Sequence, residues 1–113
     1  MNILVAGHNG YIGSVMVRVL EAVGHDVSGI DTFLYRDGTF GKDDWHGPEI
    51  QKDIRDITPE DLAGFDAVVL LAALCNDPIG DLNPDWTFDI NHAGSVHLAK
   101  SAKAAGVQRL VFA

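Results

Sequence analysis

Residues 1–14 read MNILVAGHNGYIGS, and the fold class depends on how this stretch is read. Asn2–Ala6 (NILVA) is a continuous apolar run of the kind that forms a strand buried on both faces. Gly7, Gly10 and Gly13 follow at three-residue intervals. Residues 11–23 (YIGSVMVRVLEAV) then take up a helical period, with apolar side chains at 12, 15, 16, 19, 20 and 23 and Gly24 placed as a left-handed stop. The glycines thus fall where a buried strand turns into a helix. The first turn of such a helix exposes unpaired N–H groups and the positive end of the helix dipole, which together attract an anion. A pyrophosphate reaches those groups only if the turn is tight and bare. Gly7 is expected to make the turn, Gly10 to admit the phosphates, and Gly13 to let the helix lie close on the strand.

Working outward, strands and helices alternate. Asp26–Ile30 (DVSGI) reads as a second strand ending at Asp31, and residues 32–48 as a long loop holding Phe33, Tyr35, Phe40 and Trp45. Glu49–Asp53 reads as a short third strand. Thr58 and Pro59 are an N-cap and first-position pair opening a short helix that ends near Gly64. Ala67–Ala73 (AVVLLAA) is the most apolar run and reads as a central strand. A long helix is expected from an Asn83 cap and Pro84 to Ala105, with Gly106 after it, and Arg109–Ala113 reads as a fifth strand. Near-continuous apolar strands joined by helices require right-handed crossovers and a parallel sheet covered on both faces. The expected fold is doubly wound α/β of the Rossmann type, with about five strands in the order 3-2-1-4-5 in one domain, residues 1–113.

Composition removes several classes of function. The 113 residues carry 16 acidic and 8 basic side chains, a net charge of −8. Binding to nucleic-acid phosphates or anionic lipid needs clustered Lys and Arg, so neither partner is expected. One cysteine, Cys75, allows no intrachain disulfide, and no apolar run approaches the ~20 residues of a membrane span. A cytoplasmic location is the expectation. His92 and His97 are five apart, off the i, i+4 spacing of a zinc pair, and His46 with Asp43 and Asp44 has no recognised spacing, so no metal is expected.

The spacing GxxGxxG is one residue longer in its first half than the common GxGxxG fingerprint, and three glycines alone are equally a tightly packed turn. Asp31 adds the second element. It ends the second strand 18 positions after Gly13, where an acid hydrogen-bonds the hydroxyls of an adenosine ribose. A 2′-phosphate would meet that carboxylate, so NAD is favoured over NADP; Arg36 nearby works slightly against this. His8, between the first two glycines, is either a cation beside the phosphates or a tolerated turn residue.

In VAGHNGYIG, Asp31, KDIRD (52–56), FDAVVLLAAL (65–74) and DINHAGSVHLAKSAKAAGVQRLVFA (89–113), the chain resembles the N-terminal half of an extended short-chain dehydrogenase/reductase. Within that group it is most similar to NAD-dependent nucleotide-sugar epimerases and dehydratases. The resemblance implies roles for individual residues. Gly7, Gly10 and Gly13 match the glycine motif, with Tyr11 and Ile12 offering N–H groups to the pyrophosphate. Asp31 matches the ribose-binding acid, with Thr32 as its small polar neighbour. Asp53 and Ile54 match the pair at the adenine, the acid accepting from the amino group and Ile54 packing on the ring. Leu71, Ala72 and Ala73 match the segment along the cofactor near its ribose, and Asn91 an asparagine that orders the site. Asp53 can equally be a turn residue, Leu71–Ala73 strand residues and Asn91 solvent-facing. Asn76 and Asp77 fall on the substrate side of such a site.

The resemblance also implies what to look for beyond the cofactor: a Ser or Thr after the fifth strand and a Tyr-x-x-x-Lys pair acting as acid/base. Neither is present. The only tyrosines are Tyr11 and Tyr35, and Val15 and Thr39 stand four positions on. The expected function is therefore the NAD-binding portion of a nucleotide-sugar epimerase/dehydratase-like oxidoreductase, with no catalytic residue of its own and inactive by itself. The alternative is a stand-alone non-catalytic dinucleotide-binding or sensor module. Homo-oligomers are expected, because the fifth strand is left as an open edge; the resemblance implies a dimer interface of the long helix with a neighbouring helix, which these residues do not contain.

Overall fold

The computed structural model describes residues 1–31, 45, 47–71 and 89–112, with side chains from residue 92 onward in the last stretch. Its five strands are β1 (Asn2–Ala6), β2 (Asp26–Asp31), β3 (Glu49–Gln51), β4 (Ala67–Leu70) and β5 (Arg109–Phe112). They form one all-parallel sheet in the order β3-β2-β1-β4-β5, the doubly wound order expected of the sequence. The period of two along each strand sorts the apolar side chains between two faces. Leu4, Ala6, Ile30, Val68 and Leu70 share one cluster with Ile54, Ile57, Leu62, Leu98 and Ala102. Ile3, Val5, Val27, Ala67 and Val69 share the other with Val17 and Trp45. Fully burying an aliphatic side chain of this size stabilises the fold by about 1.5–3 kcal/mol, so the central strands dominate its stability.

Helix α1 (Tyr11–Ala22) covers the second face, but not with the stripe its apolar pattern suggests. Gly13 and Val17 are its buried residues and Leu20 packs beside them, whereas Ile12, Val15, Val19 and Val23 are exposed. The reason is Gly13. It must lie against the turn, and the rest of the helix follows that rotation, so the stripe at 12, 15, 19 and 23 faces outward. Gly24 closes the helix with φ 96°, as expected.

On the first face lie α2 (Pro59–Leu62) and α3 (Ser95–Ala105). The acidic side chain of Asp61 accepts from the Thr58 N–H at 2.9 Å and from Lys52 Nζ at 2.7 Å, fixing the start of α2 to the end of β3. His97 Nε2 donates to the Ile57 carbonyl at 2.6 Å and ties α3 to the same connection. Residues 89–94, expected to be ordinary helix, wind as a π-helix before α3 begins. The expected helix start at Asn83 and Pro84 lies outside the described residues, as do Phe33, Tyr35 and Phe40 of the long loop.

Two strands are shorter than expected. β3 ends at Gln51 because Asp53 caps a 3-10 turn, Ile54–Asp56, by accepting from the Arg55 N–H at 2.9 Å, which draws the chain off the sheet. β4 ends at Leu70, with the Leu71 N–H still donating to the Ala6 carbonyl at 2.8 Å. β5 is exposed along its length. No helix among the described residues is long and apolar enough to cross a membrane.

Candidate cofactor site

At the carboxyl end of β1 the chain turns through Gly7, whose φ of 92° is open to glycine at no steric cost. The Gly7 N–H donates to the Ile30 carbonyl at 2.8 Å, and the Gly10 N–H to the Gly7 carbonyl at 3.2 Å, so the turn is tied to β2 and closed on itself. Gly10 is the N-cap of α1. No side chain caps this end, and the first turn carries no acidic residue. The N–H groups of Tyr11, Ile12 and Gly13 therefore sit at a positive helix end with no side-chain acceptor, the condition for anion binding. The Asn9 side chain adds a buried amide donor, Nδ2, that makes no hydrogen bond. An orphaned buried donor beside an uncapped helix end suits a phosphorylated ligand.

Gly13 explains why the turn can be so tight. A Cβ there would lie 2.0 Å from the Gly7 carbonyl oxygen and 2.8 Å from His8 Cα. At Gly10 the nearest contact would be an ordinary 3.4 Å, so this glycine is not required by packing inside the turn.

The acids expected to flank the turn follow the sheet order. Asp31 ends β2, next to β1, and its Oδ2 accepts the Asn9 N–H at 3.0 Å. Asp31 and the glycine turn are thus one hydrogen-bonded unit. Asp53 follows β3, one strand further out. Its Oδ1 takes Arg55 Nε at 3.0 Å and its Oδ2 takes an Arg55 terminal nitrogen at 2.7 Å, a two-pronged pair. Arg55 was not singled out by sequence, although its place two positions after Asp53 makes such a fork possible. A carboxylate has about four acceptor positions, so the pair together with the Arg55 N–H leaves Asp53 able to accept once more. Ile54 turns inward, 4% exposed, in the core beside Gly94, so little of its side chain remains for a ring. Leu71 stands at the end of β4, on the other side of β1. Thr32, Ala72 and Ala73, with Asn76 and Asp77, lie outside the described residues. Asn91 lies in the π-helical segment that precedes α3.

His8 differs from the cation reading. It is 2% exposed, with its ring edge-on to Trp45 at 5.4 Å, on the inner side of the turn. Gly29, in the middle of β2, was also missed; a glycine inside a strand pattern is the ordinary signal of a close approach.

The two paired carboxylates give the fold an acid limb. The Arg55 hydrogen bond holds the Asp53 carboxyl below its usual range despite partial burial, and the Lys52 and Thr58 hydrogen bonds do the same for Asp61. A depressed folded value means stability that is complete above the unfolded carboxyl value of about 4 and lost as the pH falls through the folded value. The melting temperature is expected to fall on acidification below about pH 4. In the double variant Asp53→Asn/Asp61→Asn that drop shrinks, because the neutral pH advantage is already gone; an unchanged acid limb by calorimetric melting would contradict this assignment.

Comparison with known proteins agrees with the geometry. Residues 3–113 match the NAD dependent epimerase/dehydratase family. The UDP-glucose 4-epimerase of Corynebacterium glutamicum is 35% identical over 116 residues, covering 99% of this chain and 34% of that protein. The crystal structure of a UDP-glucose-4-epimerase from Stenotrophomonas maltophila, with bound NAD and formylated UDP-arabinopyranose, aligns at a TM-score of 0.82 and 34% identity, over 99% of this chain and 36% of that one. TunA, a NAD dependent NDP-hexosamine 5,6-dehydratase involved in tunicamycin biosynthesis, aligns at 0.85 and 26% identity, over 98% and 36%. The chain spans about a third of the length of the curated relatives it matches. With the strand order, the bare glycine turn and the acid at the end of β2 in place, a family match that begins at Ile3 and runs to Ala113 means that the chain belongs to the NAD dependent epimerase/dehydratase family.

Proposed function

We propose that residues 1–113 are one NAD-binding domain, the cofactor-holding part of a nucleotide-sugar epimerase/dehydratase-like oxidoreductase, and that they turn over no sugar by themselves. The observation that carries this reading is the uncapped N-terminus of α1 with Asp31 hydrogen-bonded to its turn. Bound NAD supplies a hydride acceptor and donor. The chain's own work is to bind and orient it. The Tyr11 and Ile12 N–H groups hold the pyrophosphate, and Asp31 with Thr32 takes the adenosine ribose. Asp53 meets the adenine amino group, with Ile54 beside it, while Leu71, Ala72 and Ala73 run along the cofactor and Asn91 orders the site. Solved neighbours support this, since the Stenotrophomonas maltophila and Thermus thermophilus epimerases are both complexes with NAD. The 113 residues hold no Tyr-x-x-x-Lys, which supports their inactivity when assayed alone. The exposed β5 edge supports association of copies.

Calorimetric titration of the 113-residue chain is expected to show NAD binding more tightly than NADP, with no conversion of UDP-glucose. Equal or reversed affinities remove the cofactor reading. Turnover of the sugar removes the claim of inactivity, and a single monomer in sedimentation at high concentration removes the oligomer.

A further inference from the structure

Residue 8 belongs by sequence to the phosphate turn, yet its side chain runs away from it. The His8 imidazole lies on β2 at Gly29, where a Cβ would stand 2.2 Å from Cγ, 2.4 Å from Cδ2 and 2.5 Å from Nδ1. The ring fills the slot that the missing side chain leaves. The same ring meets Trp45 edge-on with centroids 5.4 Å apart, and Trp45 is itself seated on Gly47, where a Cβ would stand 2.1 Å from Cζ2. His8 Nε2 lies 3.4 Å from Glu49 Oε1 at the start of β3. One residue of the turn is therefore gripped by β2, by β3 and by the Trp45 segment at once. Its two chain neighbours make the contacts that shape the cofactor site. Gly7 supplies the carbonyl on which Gly13 rests, and the Asn9 N–H holds Asp31.

We propose that His8 is a positioning residue: its buried imidazole, packed on Gly29 and against Trp45, sets the height of the glycine turn above β2 and so places the pyrophosphate donors and Asp31 for the cofactor. Densely packed interiors shift rather than absorb an added atom, so moving the wedge moves the turn. The effect on NAD rests on the cofactor reading above; the effect on the turn does not.

Gly29→Ala tests this from a strand position whose methyl meets the His8 ring. Its NAD Kd is expected to rise roughly tenfold, and that of His8→Ala by a similar factor. The double variant His8→Ala/Gly29→Ala is expected to bind no more weakly than His8→Ala alone, because the methyl enters the space the ring has left. Leu62→Val, in the core of the opposite face, is the control for stability alone and should lower the melting temperature with Kd unchanged. In the protein without NAD, the backbone amide NMR signals of Gly7, Asn9 and Gly10 should move in both single variants. His8→Ala removes atoms rather than adding them, so it keeps the test open if Gly29→Ala does not fold. Wild-type Kd values with unmoved turn amides overturn the proposal, as do fully additive losses in the double variant. If the wild-type chain binds no NAD, the cofactor reading falls, and the amide signals alone decide whether His8 positions the turn.

Discussion

Gly13→Ala is expected to abolish NAD binding while leaving a folded, less stable protein. Two effects oppose each other. Gly13 is the third residue of α1, and alanine inside a helix is favoured over glycine by about 1 kcal/mol. Against this, the new methyl carbon would stand 2.0 Å from the Gly7 carbonyl oxygen, 2.8 Å from His8 Cα and 2.9 Å from the Gly7 carbonyl carbon. All three are main-chain atoms, so no side-chain rotation relieves the overlap. Overpacking of this kind costs about 1–3 kcal/mol, and the clash wins. Relief requires α1 to lift away from the strand, which carries the Tyr11 and Ile12 N–H groups off their aim. A hydrogen bond to a charged group contributes about 1.5–3 kcal/mol, so losing both should raise Kd by about a hundredfold or more. Gly10→Ala is the informative partner. Its methyl meets only the Gly7 carbonyl oxygen, at 3.4 Å, and φ at this residue is −80°, open to any side chain. The melting temperature of Gly10→Ala should stay near the wild type, and any loss of NAD affinity there reports a methyl facing the ligand. Calorimetric titration and thermal melts of both variants decide the matter; Gly13→Ala binding within a few fold of wild type would remove the close-packing role.

The strand order, the bare turn and the position of Asp31 at the end of β2 were legible because each rests on local chemistry. A both-faces-buried strand is apolar at every position, and a turn this tight needs glycine. What was not legible depends on rotation and contact. Of the apolar residues at 12, 15, 16, 19, 20 and 23 of α1, Met16 and Leu20 are half-buried, whereas Ile12, Val15, Val19 and Val23 are exposed, because the helix is rotated to seat Gly13 on Gly7. Asp53 reads as the end of a strand, but its carboxylate is drawn to Arg55 and ends β3 two residues sooner. The resemblance implies Ile54 beside an adenine, and the 3-10 turn leaves its side chain 4% exposed in the core, a rotation no local pattern signals. The inward course of His8 was signalled only by Gly29, 21 positions away, and pairing those two residues requires the register of β1 with β2.

Asp31→Asn is expected to lower NAD affinity by roughly tenfold and to erase most of the preference over NADP. The substitution changes charge with little change in shape. An amide oxygen at the same place still accepts the Asn9 N–H that Asp31 Oδ2 now takes at 3.0 Å, so the turn keeps its tie to β2. What is lost, on the function proposed above, is the negative charge toward the ribose. A hydrogen bond to a charged group contributes about 1.5–3 kcal/mol against about 0.5–1.5 for a neutral one, and the difference corresponds to about a factor of ten in Kd. For NADP the sign reverses, since its 2′-phosphate meets a carboxylate in the wild type and a neutral amide in the variant. NADP affinity should therefore rise while NAD affinity falls, and their ratio should move toward one. Asp31→Ala separates the two jobs of this residue, because it removes the charge and the Asn9 tie together. It should cost more NAD affinity than Asp31→Asn and also disturb the amide signals of Asn9 and Gly10. Paired titrations with both nucleotides read the result. An Asp31→Asn protein that keeps the wild-type ratio of NAD to NADP affinity would show that discrimination is made elsewhere on the chain.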